Sequence, residues 1–323
     1  MTDAPLVPDP TRGRPLRRRR LVAVGGALVV VLGAGALLTR DDSPAGPPAG
    51  AWTIAPHEGL GAWVDVYDWT LQFTDGRPPV GPGEVEAMAE AGVQTLYIQT
   101  AHTSAVEPGV IEEERLRSII QRAYDRGLHV VAWYLPSLVD PAADLQRLLA
   151  SAALPVGGLG IDIESLAVPD PVERNRLLLL LGDGLRAALG PDKALAAITP
   201  SAIHLQVVNP DFWPDFPWAE LPLTYDVLLP MTYWSIRLGD LRDGTRYVGE
   251  NLDRIRFSVQ DREIPIAPIG GIADGVTIPD LEGMVRSIET RGAVGGSLYD
   301  WVTSRPEHWE ALAPLRAAPP PDG

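Results

Sequence analysis

Asp162 and Glu164 close the run Gly157-Gly158-Leu159-Gly160-Ile161-Asp162-Ile163-Glu164, and they are the pair in this chain best spaced to move a proton. A glycine turn followed by alternating apolar residues predicts a short strand, and side chains two apart on a strand point the same way. The two carboxyl groups then face one cavity, about 6–7 Å apart along the strand. Neighbouring carboxylates raise each other's pKa, so one holds a proton near neutral pH while the other stays charged. That division of labour suits a reaction in which an acetal oxygen is protonated as its bond to carbon breaks. The same spacing also fits an ordinary strand end with one salt-bridged Asp and one solvated Glu.

The elements around this pair decide what it can do. Apolar strand-like runs at Ala62–Tyr67, Gln94–Thr100, His129–Leu135, Gly158–Glu164, Ala194–Thr199, Asp226–Thr232, Ile264–Ile269 and Ala293–Tyr299 alternate with amphipathic segments at 83–91, 112–126, 141–152, 171–189, 246–261 and 278–291. Eight such units, spaced by about 33 residues, read as an α/β fold, a (β/α)8 TIM barrel over residues 52–316. An open doubly wound sheet is the alternative, but no glycine-rich phosphate loop follows the first strand. Barrels of this type place chemistry at the C-terminal ends of their strands.

Those ends are rich in acids and aromatics. Asp65, Tyr67, Asp68 and Trp69 close the first strand, Gln99 and His102 the second, and Trp133 and Tyr134 the third. Met231, Tyr233 and Trp234 close the sixth, and Tyr299, Asp300 and Trp301 the eighth. Four of the nine tryptophans fall at this expected mouth, on separate strands. Aromatic faces against pyranose rings, with carboxyl groups acting on the bonds between them, are a combination suited to sugars. Trp and Tyr also fill cores with a polar tip outward; that reading is favoured for Trp63 and Trp133, and the sugar reading for Trp234 and Trp301.

Composition excludes other chemistries. Cysteine is absent, which removes disulfides, thiolate metal sites, cysteine nucleophiles and a lipoprotein anchor. His102 has no second histidine at a metal-binding spacing, no Gly-x-Ser-x-Gly elbow is present, and there is no Walker motif. No cofactor or metal is therefore expected. Residues 1–40 hold seven Arg and two Asp, leaving 20 basic against 40 acidic residues beyond Arg40. A domain that acidic lacks the footprint of a nucleic-acid binder, and it suits a neutral or cationic ligand.

The N-terminal region reads as a targeting segment. Residues 1–20 end in Arg17 to Arg20 and form a basic, cytoplasmic N-terminus; residues 21–39 carry no charge and are just long enough to span a bilayer. The flanking charges put the C-terminal part outside. A cleaved signal peptide is the competing reading, with Ala34-Gly35-Ala36 as its small-x-small site, and Arg18-Arg19 fits a twin-arginine signal. Every version places the domain outside the cytoplasmic membrane. Residues 40–51 form a Pro/Gly linker, and 317–323 a disordered tail. Nothing in the sequence speaks to oligomeric state.

Three segments resemble the family-18 glycoside hydrolases, the chitinase-like barrels. The fourth-strand motif of that family, Asp-Gly-x-Asp-x-Asp-x-Glu, is similar to Gly157 through Glu164. Its sixth-strand Tyr/Phe-Asp and Met-x-Tyr-Asp is similar to Tyr225-Asp226 and Met231-Thr232-Tyr233-Trp234. Its eighth-strand Gly-Gly and tryptophan resemble Gly295-Gly296 and Trp301. The resemblance implies a glycosidase in which Glu164 is the general acid and Asp162 steers a substrate acetamido group that attacks the anomeric carbon. Tyr233 would bond to the ring that forms, and Trp301 would floor the reactive sugar. Asp65, Trp69, Tyr134, Met231 and Trp234 complete the expected substrate-binding set. The sequence departs from the motif where Gly157, Gly160 and Trp234 replace aspartates. A weaker similarity joins Asp65, Asp162 and Glu164 to the family-25 muramidases. The expected function is cleavage of a cell-wall or extracellular polysaccharide, and the alternative is a non-catalytic carbohydrate-binding barrel of chitinase-like fold.

Overall fold

Eight parallel strands pair in sequence order and close into a barrel: β1 (Gly59–Val64), β2 (Thr95–Gln99), β3 (His129–Tyr134), β4 (Gly158–Asp162), β5 (Leu195–Pro200), β6 (Val227–Met231), β7 (Ile269–Ile272) and β8 (Gly295–Tyr299). The computed structural model describes residues 52–106 and 108–317. These fall in one of the two units into which the chain divides, Gly46–Gly323. The expected cytoplasmic segment 1–20, the span or signal peptide at 21–39, the linker and nearly all of the tail lie outside the described residues. Within them, no helix is long and apolar enough to cross a membrane.

Helices α1 (Val66–Trp69), α2 (Pro82–Glu90), α3 (Glu113–Asp125), α4 (Pro141–Ala152), α5 (Pro171–Leu189), α6 (Gly244–Val259), α7 (Ile278–Arg291) and α8 (Pro306–Ala311) lie along the chain between and after the strands. Their starts follow from local chemistry. Asp140 and Asp170 each precede a proline, and each caps its helix by accepting a backbone N–H, from Ala143 and Val172 respectively. Asp243 and Thr277 do the same for α6 and α7.

Strand alternation divides the apolar residues into two cores. Leu60, Ala62 and Val64 of β1 face outward to the helices, as do Leu159 and Ile161 of β4. Trp63, Tyr97, Val131, Trp133, Ile198 and Leu229 face inward and fill the barrel. There Trp63 stacks on Tyr97 with centroids 4.3 Å apart and meets Trp133 edge-on at 5.7 Å. The barrel is thus plugged, and its mouth is left as the place for a ligand.

The strand bounds differ from the sequence expectation most at β1 and β7, and β4 ends at Asp162, two residues before Glu164. β1 ends at Val64 because Asp65 caps α1, accepting the Tyr67 N–H, while Asp68 accepts the Asp65 N–H in return. β7 begins at Ile269, not Ile264, because Pro265 and Pro268 have no N–H for a regular ladder. At the opposite end from the mouth, Trp52 bridges to Lys193, and Ala317 exchanges hydrogen bonds with the Gln94 side chain.

Candidate active site

The C-terminal strand ends bring together Asp65 just past β1, Asp162 at the end of β4 with Glu164 two residues beyond it, Met231 at the end of β6 with Tyr233 beyond it, and Tyr299 at the end of β8 followed by Asp300. Asp162 is 6% exposed and Glu164 is partly exposed above it. Burial pushes the Asp162 carboxyl well above the ordinary carboxylate range, and the Glu164 charge adds to this. Burial alone raises Glu164 to about 7. Tyr233 is buried at the same place. Desolvation holds its phenol well above the usual value, and Glu164, Asp162, Asp300 and Asp65 all oppose its ionisation further. It therefore stays protonated, a hydrogen-bond donor ringed by acids.

The glycine at position 160 shapes this pair. A Cβ there would lie 3.1 Å from Ile198 Cδ1 and 3.5 Å from the Trp133 Cβ, so apolar packing occupies the space into which a side chain would extend. Asp162 consequently has no acidic neighbour below it, and its Oδ1 is buried with no hydrogen-bond partner.

Across the mouth, the Tyr299 hydroxyl donates to Asp65 Oδ2 at 2.7 Å, and the Tyr299 ring lies 6.0 Å from that of Tyr233. Burial raises the Asp65 pKa against the lowering pull of that hydrogen bond. Burial and the Asp65 charge raise Asp68 to about 8. The folded protein thus holds protons that the unfolded chain, with carboxyl groups near 3.8 and 4.5, has released. The stability contributed this way is complete below about pH 4 and is lost as pH rises to about 8. The melting temperature is expected to be lower at pH 8.5 than at pH 5.5, with a smaller gap in Asp68→Asn. A melting temperature that rises over this interval would contradict the assignment.

Four residues expected to bind substrate lie elsewhere. Trp69 belongs to α1 and is fully buried, its Nε1 donating to the Gln99 carbonyl at 2.9 Å. Tyr134 follows the inward Trp133, so alternation turns it outward, where its hydroxyl donates to Asp144 of α4 at 2.6 Å. Trp234 leaves β6 in a short helical turn, Trp234–Ile236, and is fully buried in the outer core. Trp301 lies within a turn in which Asp300 Oδ1 accepts the Thr303 N–H and hydroxyl. That turn carries its indole to the outside of the barrel, where Nε1 donates to Glu84 of α2 at 3.1 Å and the ring packs on Trp309 of α8. Tyr299 takes the inward place instead. Trp301→Ala is therefore expected to cost about 3 kcal/mol of stability and to leave glycan affinity unchanged, as read by urea unfolding and calorimetry; weakened affinity in a protein that still folds would restore the floor role. Sequence reasoning passed over Tyr299, Asp300 and Asp68 as site residues, although strand alternation from Ser297 already aims Tyr299 inward.

No protein-family model matches the sequence, and no curated protein matches it. Solved structures do. The glycoside hydrolase domain of PgaB (BpsB) from Bordetella bronchiseptica is similar with a TM-score of 0.59 at 12% identity, over 81% of this chain and 100% of that one. A chitinase from Bacteroides thetaiotaomicron gives 0.55 at 11%, over 80% and 95%. The spore cortex-lytic enzyme SleL of Bacillus cereus gives 0.58 at 10%, over 80% and 74%. The fold of this chain is that of the chitinase-like and related glycoside hydrolase barrels.

Proposed function

We propose that the chain is an extracytoplasmic glycoside hydrolase, held at the membrane by residues 21–39 or released from it by cleavage there, that cuts a cell-wall or extracellular polysaccharide. The observation that carries this reading is Glu164, a partly exposed carboxyl at the mouth that burial raises to about 7. No ion pair among the described residues engages it. A general acid needs a pKa near the working pH and access to the leaving oxygen.

In the mechanism, the Glu164 carboxyl gives its proton to the glycosidic oxygen as the bond to the anomeric carbon breaks. Positive charge then builds on the sugar ring. The carboxylates around it, above the aromatic plug that fills the barrel, stabilise that charge. Asp162, next to Glu164, steers the substrate acetamido group whose oxygen bonds to the anomeric carbon from the other face, in line with the role that the family resemblance gives it. Water then displaces that oxygen and returns a proton to Glu164. Tyr233, kept protonated by burial and by the acids around it, donates a hydrogen bond to that acetamido group.

The test is to incubate the purified chain with peptidoglycan, chitin oligosaccharides and a panel of bacterial wall polysaccharides and to look for new reducing ends by mass spectrometry. New ends are expected. Binding without product on every glycan would move the reading to a carbohydrate-binding barrel.

A further inference from the structure

Asp144 stands in the first turn of α4, against the outward face of β3, and is 1% exposed. A carboxylate so placed needs several donors in place of water. It has four, all neutral: the Tyr134 hydroxyl at 2.6 Å, the Leu138 N–H at 2.8 Å, and the N–H and hydroxyl of Ser137 at 3.4 Å each. Three of the four belong to the loop that follows β3. That loop bends sharply: Leu138 is buried with φ at +62°, a left-handed conformation that leucine rarely adopts. Such backbone persists only where its surroundings hold it, and Asp144 does so by accepting the N–H groups of Ser137 and Leu138.

The held loop in turn fixes the chain beyond β4. The Ser137 carbonyl accepts the Ser165 hydroxyl at 3.3 Å, and Ser165 Oγ accepts the Ala167 N–H at 3.3 Å. On the other side of Glu164, the Ile163 N–H donates to the Ile198 carbonyl of β5 at 2.8 Å. Glu164 therefore lies between two backbone anchors, one in β5 and one in the loop that Asp144 holds. No ion pair among the described residues aims its carboxyl. The direction of the side chain thus depends on the backbone that carries it.

We propose that Asp144 is a positioning residue for the general acid, acting on Glu164 through Ser137 and Ser165 from outside the barrel. The inference rests on the hydrolase reading and extends it to a group that no substrate reaches. Proton transfer demands a set distance and angle, so a small misplacement of Glu164 costs rate. Loss of Asp144 or Ser165 should accordingly slow the chemical step and spare affinity. Tyr134, which donates the shortest of the four bonds, belongs to the same unit: its hydroxyl ties the Asp144 carboxyl to the end of β3.

Ser165→Ala and Asp144→Asn, singly and together, would be compared with the unsubstituted full chain on chitin oligosaccharides, or on soluble peptidoglycan fragments if those are not cut. Each single variant is expected to lower kcat about three- to ten-fold, the effect of one hydrogen bond, with KM within about two-fold. Both substitutions cut one path, so the double variant should be no slower than the slower single one. Separate structural roles would instead multiply. Ser165→Thr keeps the hydroxyl and should restore kcat. A second readout needs no substrate: hydrogen exchange at the 165–167 amides should quicken in Asp144→Asn while that of α7 stays unchanged. If Asp144→Asn fails to fold, as read by circular dichroism, Tyr134→Phe takes its place, since it removes only the hydroxyl on Asp144. Multiplying losses, an effect carried by KM, or unchanged exchange at 165–167 would overturn the proposal. Cleavage with kcat untouched in both variants would sink this inference and spare the hydrolase reading. No cleavage of any glycan by the unsubstituted chain would sink the hydrolase reading, and quickened exchange would still show that Asp144 holds the chain beside Glu164.

Discussion

Glu164→Gln is expected to slow glycan cleavage by about 10²–10⁴-fold, the usual contribution of a positioned general acid, while glycan affinity stays within a few-fold of the unsubstituted chain. The side chain keeps its shape and its place above Asp162, so what is lost is a proton that can be given away. Because burial holds the native carboxyl near 7, the unsubstituted rate should fall on the alkaline side as Glu164 ionises. The variant should lose that alkaline limb along with most of its rate. Initial rates of reducing-end release between about pH 5 and 9 report both effects. A variant as fast as the native chain would remove Glu164 from the chemistry altogether.

Gly295→Ala is expected to be the most damaging single methyl group in the barrel, costing about 3 kcal/mol or more. Gly295 pairs with Gly59 where the last strand meets the first and closes the ring. A Cβ on Gly295 would sit 2.6 Å from both the N and O of Gly59, and closer still to the His57 carbonyl. All three are backbone atoms, two at the start of β1 and one in the turn just before it, and they have no rotamer by which to yield. Its neighbour is a built-in control: a Cβ on Gly296 meets only side chains, of Ile288, Leu315 and Met284. Chemical denaturation should show a much larger loss for Gly295→Ala than for Gly296→Ala. Equal losses would mean that the closure tolerates displacement.

The barrel and the β4 carboxylates were readable from the sequence because both depend on local periodicity. Eight apolar runs alternating with amphipathic helices define the layers, and the two-residue spacing of Asp162 and Glu164 fixes their common face. The same rule, carried further, separates Trp133 from Tyr134: adjacent strand residues cannot both face the cavity, and the structure turns Trp133 inward. The placements of Trp69, Trp234 and Trp301 away from the mouth share a cause. Each lies just past a strand end, where a cap or a turn resets the direction of the chain. At Trp69 the cap was visible as Asp65 followed three residues later by Asp68, although an acidic pair there reads equally well as a ligand site. At Trp301 the outward turn depends on Thr303 closing onto Asp300, a contact with no periodic signature. The acidic group at Asp65, Asp68 and Asp300 joins residues more than 200 positions apart, and only closure of the ring brings them together.

Ring closure also settles where the ends of the domain lie. Trp52, bridged to Lys193, and Ala317, bonded to Gln94, both sit at the plugged end of the barrel, beneath the starts of β5 and β2. The carboxylates occupy the other end, a strand's length of about 15–20 Å away. A purification tag, a fusion partner or a solid support joined at either end of residues 52–317 therefore attaches behind the reaction centre, and the open rim stays free to meet a polymer too large to diffuse.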